Sequence, residues 1–124
     1  MRKNICNVDK NILGVNYNGS VVENFYHPYE AVFSDDVKRL SLSQSENNKS
    51  KLLFCKSAIL MQKEKYEYGY KFNGERMKRQ KIMLPTDKKG NPDYNYMDDY
   101  MTVLEYQKLV DYLNFKKNTD NQNN

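Results

Sequence analysis

The spacing of apolar residues changes several times along this chain, and each change predicts a different element. Residues 1–11 are polar and expected to be loosely held. ILGVNYNGSVV (12–22) is two apolar runs flanking Asn18-Gly19. Asn-Gly readily takes the positive φ values of tight hairpin turns, so a strand–turn–strand is expected. NFYHPYEAVFS (24–34) is aromatic and β-prone, with Pro28 confining it to an edge or a bend because proline cannot donate to a ladder. DVKRLSL (36–42) predicts one more short strand, and SQSENNKS (43–50) a polar loop in which Asn48 or Ser50 can cap the next element.

From about 50 to 64 the apolar spacing becomes helical, with Leu52, Cys55, Ile59 and Leu60 on one face and Lys56 and Lys63 away from it. KYEYGYKF (65–72) returns to alternation through Tyr66, Tyr68, Tyr70 and Phe72, the period of a strand or extended loop, interrupted by Gly69. Asn73 can cap a short helical turn over 74–79, KIML (81–84) predicts a strand ended by Pro85, and TDKKGNPD (86–93) is turn-rich. A final helix should run from about 93 to 115 with Asp93 as its N-cap. Tyr96, Tyr100, Val103, Tyr106, Val110 and Leu113 recur there at intervals of three and four, close to the coiled-coil period of about 3.5. Met97, Met101, Leu104 and Leu109 widen the stripe, so a partner along much of the helix is expected. The tail NTDNQNN is polar and expected to be disordered.

These elements predict an α+β fold: a small, twisted, mainly antiparallel sheet, one or two packed helices, and a long C-terminal helix of coiled-coil type. The expected organisation is a flexible N-terminus (1–11), one small domain (12–92), a spacer or dimerisation helix (93–116) and the tail (117–124). A chain of 124 residues leaves little room for a second domain. Tyr outnumbers Phe eleven to five and Trp is absent, which favours surfaces half packed and half wet.

The net charge of +4 is modest, but its distribution is uneven. Residues 61–89 hold nine Lys or Arg against four acids, whereas residues 90–124 hold three against six. A concentrated positive segment beside an acidic helix is the footprint of a polyanion-binding surface; a solvated charged face would show the same composition. Two unpatterned cysteines, Cys6 and Cys55, imply a reducing compartment rather than a disulfide framework. No apolar stretch reaches signal-peptide or membrane-spanning length, so a cytoplasmic protein is expected. His27 has no companion His or Cys with which to build a transition-metal site and is read as structural. Asp35 and Asp36, if on a strand, point to opposite faces. Asp98 and Asp99 sit near a helix N-terminus that favours negative charge. No Gly-rich phosphate loop, nucleophile elbow or zinc spacing is present, so no catalytic residue, metal or cofactor is assigned to this chain.

Three stretches together resemble the target-recognition domains of type I restriction-modification specificity subunits and related bifunctional systems. NGSVVENFYHPYEAVFSDDVKRL (18–40) is similar to that family's Gly-containing hairpin, aromatic-His-Pro strand and Ser-Asp-x-Val strand. KYEYGYKFNGERMKRQKIMLP (65–85) is similar to its Tyr-x-Tyr-Gly, Glu-Arg-Met/Leu-Lys and Lys-Ile-x-Leu-Pro signature, and GNPDYNYMDDYM (90–101) to the start of its long spacer helix. The order matches, over about residues 12–115. Val22 stands where the family commonly has a second glycine.

The resemblance implies sequence-directed binding of double-stranded DNA on behalf of a methyltransferase/endonuclease assembly, with S-adenosylmethionine chemistry supplied by the methyltransferase subunit. Lys63, Lys65, Lys71, Arg76, Lys78, Arg79 and Lys81, interleaved with Tyr66, Tyr68 and Tyr70, then become the expected DNA-binding set. Cations neutralise phosphates while tyrosine hydroxyls and arginines reach phosphates and base edges. In the alternative reading, the tyrosines pack the core while the lysines face water. Glu75 and Arg76 are candidates for a local ion pair. The stripe Tyr96, Tyr100, Val103, Tyr106, Val110 and Leu113 is the expected interface for a methyltransferase subunit, a second copy or a complementary half-subunit. The alternative function is an interaction protein that uses this helix without reading DNA.

Overall fold

A computed structural model describes residues 7–16, 22–66 and 73–123. Its centre is strand β2 (Ile12–Asn16), four of whose five residues are buried. A strand covered on both faces needs an unbroken apolar run rather than alternation, and Ile-Leu-Gly-Val supplies it. β2 pairs antiparallel on one side with β3 (Asn24–His27), with Leu13 opposite Tyr26 and Val15 opposite Asn24. On its other side it pairs with β5 (Val37–Leu40), with Leu13 opposite Leu40 and Asn16 opposite Val37. The order β3-β2-β5 makes β5 an edge. A second, two-stranded antiparallel sheet joins β1 (Val8–Asp9) to β4 (Ala31–Val32). Residues 8 and 9, expected to be loose, are thus held by a ladder. The sheets and helices together give the expected α+β class.

Gly14 is demanded by close approach. A Cβ there would lie 3.0 Å from His27 Nε2, 3.1 Å from Val37 Cγ1 and 3.2 Å from Phe33 Cε1. His27 packs edge-on to Phe33 at 4.8 Å between ring centroids, a packing role in line with its structural reading.

The β2–β3 hairpin forms, but its second strand begins at Asn24, with Val22 in a turn at φ 71°. Val22 is nevertheless fully buried in the core with Leu13, Val15, Leu52, Cys55, Ile59 and Tyr66. Asn18 and Gly19 lie outside the described residues.

Helix α1 (Lys49–Leu60) opens as the polar loop ends, and Asn48 Oδ1 accepts from the Lys51 amide at 2.8 Å. It buries Leu52, Cys55, Ala58 and Ile59. A 3₁₀ turn (Lys63–Tyr66) follows instead of the expected strand start. Helix α2 (Gly74–Arg79) is capped by Asn73, whose Oδ1 accepts from the Arg76 amide at 3.0 Å. KIML (81–84) is not a strand. Ile82 and Leu84 do pack on the core, with Lys81 and Met83 exposed, but among the described residues no neighbouring strand takes up the backbone. The turn after it is built on Asp87, whose Oδ1 accepts from the amides of Lys89 (2.8 Å) and Asn91 (3.0 Å).

Helix α3 (Tyr94–Gln122) starts at Asp93, whose Oδ1 accepts from the Tyr96 amide at 3.0 Å. Its first turns are clamped to α1. Met97 is fully buried, Asn48 Nδ2 donates to Asp98 at 3.0 Å, and Lys51 pairs with the same carboxylate at 3.5 Å. Lys49 pairs with Glu105, and Phe54 meets Tyr100 edge-on at 5.8 Å. Asp98 is thus a structural anchor. From Glu105 onward every described residue is exposed, and the helix continues to Gln122 through most of the expected disordered tail.

Candidate nucleic-acid interface

Two elements distant in sequence build a basic concavity. Met77 packs against the core, which fixes the rotation of α2 and turns Lys78 and Arg79 to solvent. Edge strand β5 lies alongside and exposes Lys38 and Arg39 between the half-buried Val37 and Leu40. Between them runs an open groove of about 570 Å³, lined by Lys38, Arg39, Leu40, Asn73, Glu75 and Lys78 among others. Three cationic residues line the cleft with one acid, Glu75, and Arg39 is also paired with Asp9, so the lining is modestly positive, which favours an anion such as a phosphate backbone.

The expected DNA-binding residues separate into distinct groups in the structure. Lys78, Arg79, Lys81 and Lys65 are exposed, and Arg76 is partly so. Lys65 Nζ reaches Gln80 Oε1 at 3.3 Å. Lys63 forms an ion pair with Glu23 at 2.5 Å. That pairing, through the hydrogen bond first and the charge second, holds the Glu23 carboxyl below its ordinary value. Tyr66 is a correction. It is buried in the core, and its hydroxyl donates to Gln80, so its ring supports the sheet rather than facing a ligand. Tyr68, Tyr70 and Lys71 lie outside the described residues. Glu75 and Arg76 do not form the expected ion pair: no hydrogen bond or ion pair among the described residues engages the Glu75 carboxylate.

Sequence reasoning missed Lys38 and Arg39. The available signal was the Lys-Arg pair inside VKRL, since adjacent cations on a short strand suit an edge more than an interior. Arg39 also pairs with Asp9 at 3.6 Å, tying β1 to the same rim.

The predicted stripe on α3 is a real surface. Tyr96, Tyr100, Val103, Tyr106, Val110 and Leu113 are between 40% and 69% exposed, so the helix does not bury them on its own domain. Tyr96 stacks on Tyr100 at 6.2 Å. Among the described residues no group of three or more His, Cys, Asp or Glu is placed to hold a metal ion. Burial pushes the Cys55 thiol up, keeping it protonated and unreactive. Among the same residues no helix is long and apolar enough to cross a membrane.

A small α+β domain with a basic cleft and a projecting helix has the general form of a nucleic-acid-recognition module. Comparison with known families gives that class a definite member. The model of the type I restriction modification DNA specificity domain matches residues 2–118, and the chain belongs to that family. Over 97 residues it is 67% identical to the type II restriction enzyme BgcI specificity subunit S.BcgI of Heyndrickxia coagulans. The aligned stretch is 78% of this chain and 28% of that protein, so the chain spans little more than a quarter of its relative. No solved structure matches the chain.

Proposed function

We propose that this chain is a DNA-recognition segment of a restriction-modification specificity subunit. In this reading it binds duplex DNA through the β5–α2 groove and holds a protein partner through α3. The reading rests on one observation above all: Lys38 and Arg39 of β5 meet Lys78 of α2 around a single cleft. Arg76, Arg79, Lys81 and Lys65 extend that charge along the backbone of the duplex. Family membership and the identity to a specificity subunit support this reading over an interaction protein that ignores DNA.

The functional units are the domain of residues 12–92, which reads DNA, and α3, which recruits. The exposed α3 stripe takes a methyltransferase subunit, a second copy or a complementary half-subunit. The chain directs chemistry and performs none. Any S-adenosylmethionine is held by the methyltransferase, and the protein works in the cytoplasm, where the DNA is.

Replacing Lys78, Arg79 and Lys81 together with Ala and titrating a fluorescent duplex across a salt series tests the DNA half. For every phosphate that is no longer neutralised, the slope of log K against log salt should flatten by about 0.9. An unchanged slope would overturn the reading.

A further inference from the structure

The cationic groove contains one residue that phosphate binding does not explain. Glu75 stands in the first turn of α2, exposed, on the wall shared with Lys38, Arg39 and Lys78. Its charge is opposite to what a phosphate cradle needs, because a carboxylate beside phosphate oxygens repels them. Nor is it spent on its neighbours, since no hydrogen bond or ion pair among the described residues engages it. α2 keeps its cap through Asn73 without help from Glu75. The core anchor of the helix is Met77. Beyond the favourable placement that any first-turn carboxylate has at a helix N-terminus, Glu75 engages no neighbour among the described residues, and between cations that hold a duplex by its backbone it can accept only from donors on the base edges. Base edges carry exocyclic amino groups, and a carboxylate accepts from cytosine N4. An ionised carboxylate only accepts hydrogen bonds, which excludes guanine O6 and thymine O4 as partners, and the amino group of adenine is flanked by the N7 acceptor, which repels a carboxylate and leaves cytosine N4 favoured.

We propose that Glu75 is a specificity-determining residue that reads a cytosine amino group in the major groove, while Lys38, Arg39 and Lys78 hold the flanking phosphates. This rests on the reading of the groove as the DNA-binding surface and adds to it which side chain selects sequence.

The test is selection from a randomised duplex library with the full chain, repeated for Glu75→Ala and Glu75→Gln. Circular dichroism on each variant confirms that the fold is kept. The wild-type chain should select a site containing a cytosine. Glu75→Ala should lose preference at that position alone, by roughly tenfold to a hundredfold, with the rest of the site unchanged. Glu75→Gln should move the preference to adenine, because an amide pairs bidentately with adenine N6 and N7. Affinity for unrelated duplex should hold or rise in both variants, since a negative charge has been removed. A wild-type chain that selects no sequence would overturn the groove reading and this assignment with it. A wild-type site kept intact by both variants would overturn the assignment of Glu75 alone.

Discussion

Asn11 and Asn47 hold each other through a reciprocal pair of hydrogen bonds from side chain to backbone. Asn11 Nδ2 donates to the Asn47 carbonyl at 2.8 Å, and Asn47 Nδ2 donates to the Asn11 carbonyl at 2.9 Å. Asn47 Oδ1 also accepts from the Leu42 amide at 2.8 Å, and Asn11 Oδ1 from the Tyr26 hydroxyl at 2.9 Å. Asn11 occupies φ 53°, a left-handed conformation that Asn tolerates better than most residues. The pair fastens the start of β2 to the loop before α1. Asn47→Ala strands the Leu42 amide and the Asn11 carbonyl, and should lower unfolding free energy by about 1–3 kcal/mol in urea titration. A loss within experimental scatter would mean that the loop is held by other contacts.

Val22 combines full burial with φ 71°, where a β-branched residue is strained by roughly 1–2 kcal/mol. Val22→Ala removes two methyl groups and should cost about 1.6 kcal/mol before any cavity effect. Val22→Gly loses more packing but releases the strain, so it should be at least as stable as Val22→Ala. Val15 is equally buried but lies within strand β2. There, glycine should be less stable than alanine by about 0.5–1 kcal/mol. The same glycine penalty at both positions would show that the backbone at Val22 stores nothing.

The Glu23–Lys63 pair predicts an acid-dependent contribution to stability. Because the folded carboxyl lies below its ordinary value of 4.5, the contribution is present above that pH. It is lost as pH falls through the lower, folded value. Lys63→Ala should therefore narrow the difference in stability between neutral and acid solution, with a small effect because the pair is exposed. The same variant should leave the salt slope of DNA binding nearly untouched, whereas Lys78→Ala flattens it. Equal flattening by both would place Lys63 in the interface and Glu23 outside its control.

Exposed stripe residues on α3 give a prediction of separability. Changing Val103, Tyr106 and Val110 together to Lys should leave the thermal unfolding of the domain almost unchanged, since surface changes are usually within about 0.5 kcal/mol each. Self-association or methyltransferase capture, followed by light scattering of mixtures, should be abolished. A large fall in thermal stability would mean that the stripe packs on its own domain in solution.

Much of this arrangement was legible in the residues. The apolar run of β2, the caps Asn48, Asn73 and Asp93, and the α3 stripe are all local signals, and the structure keeps each one. What misled was tertiary in origin. Tyr66 sits in an alternating pattern, yet a 3₁₀ turn takes its ring inward to fill the core beside Val22 and Ile59. KIML reads as a strand, yet among the described residues no neighbour pairs with its backbone, which no single segment records. The groove is the same kind of case. Lys38 and Lys78 are ordinary surface lysines in the sequence, and only the docking of α2 beside an edge strand brings them to one groove.

Helix α3 has 29 residues and is exposed throughout beyond Glu105, the last of its residues paired with α1. At 1.5 Å of rise per residue the whole rod is about 43 Å long, and each residue turns its face by roughly 100°. A molecule gripping the far end is therefore held at a set distance and azimuth from the domain. Inserting a single residue past Glu105 would swing that load to another side of the axis, while inserting seven would restore its bearing and only push it outward.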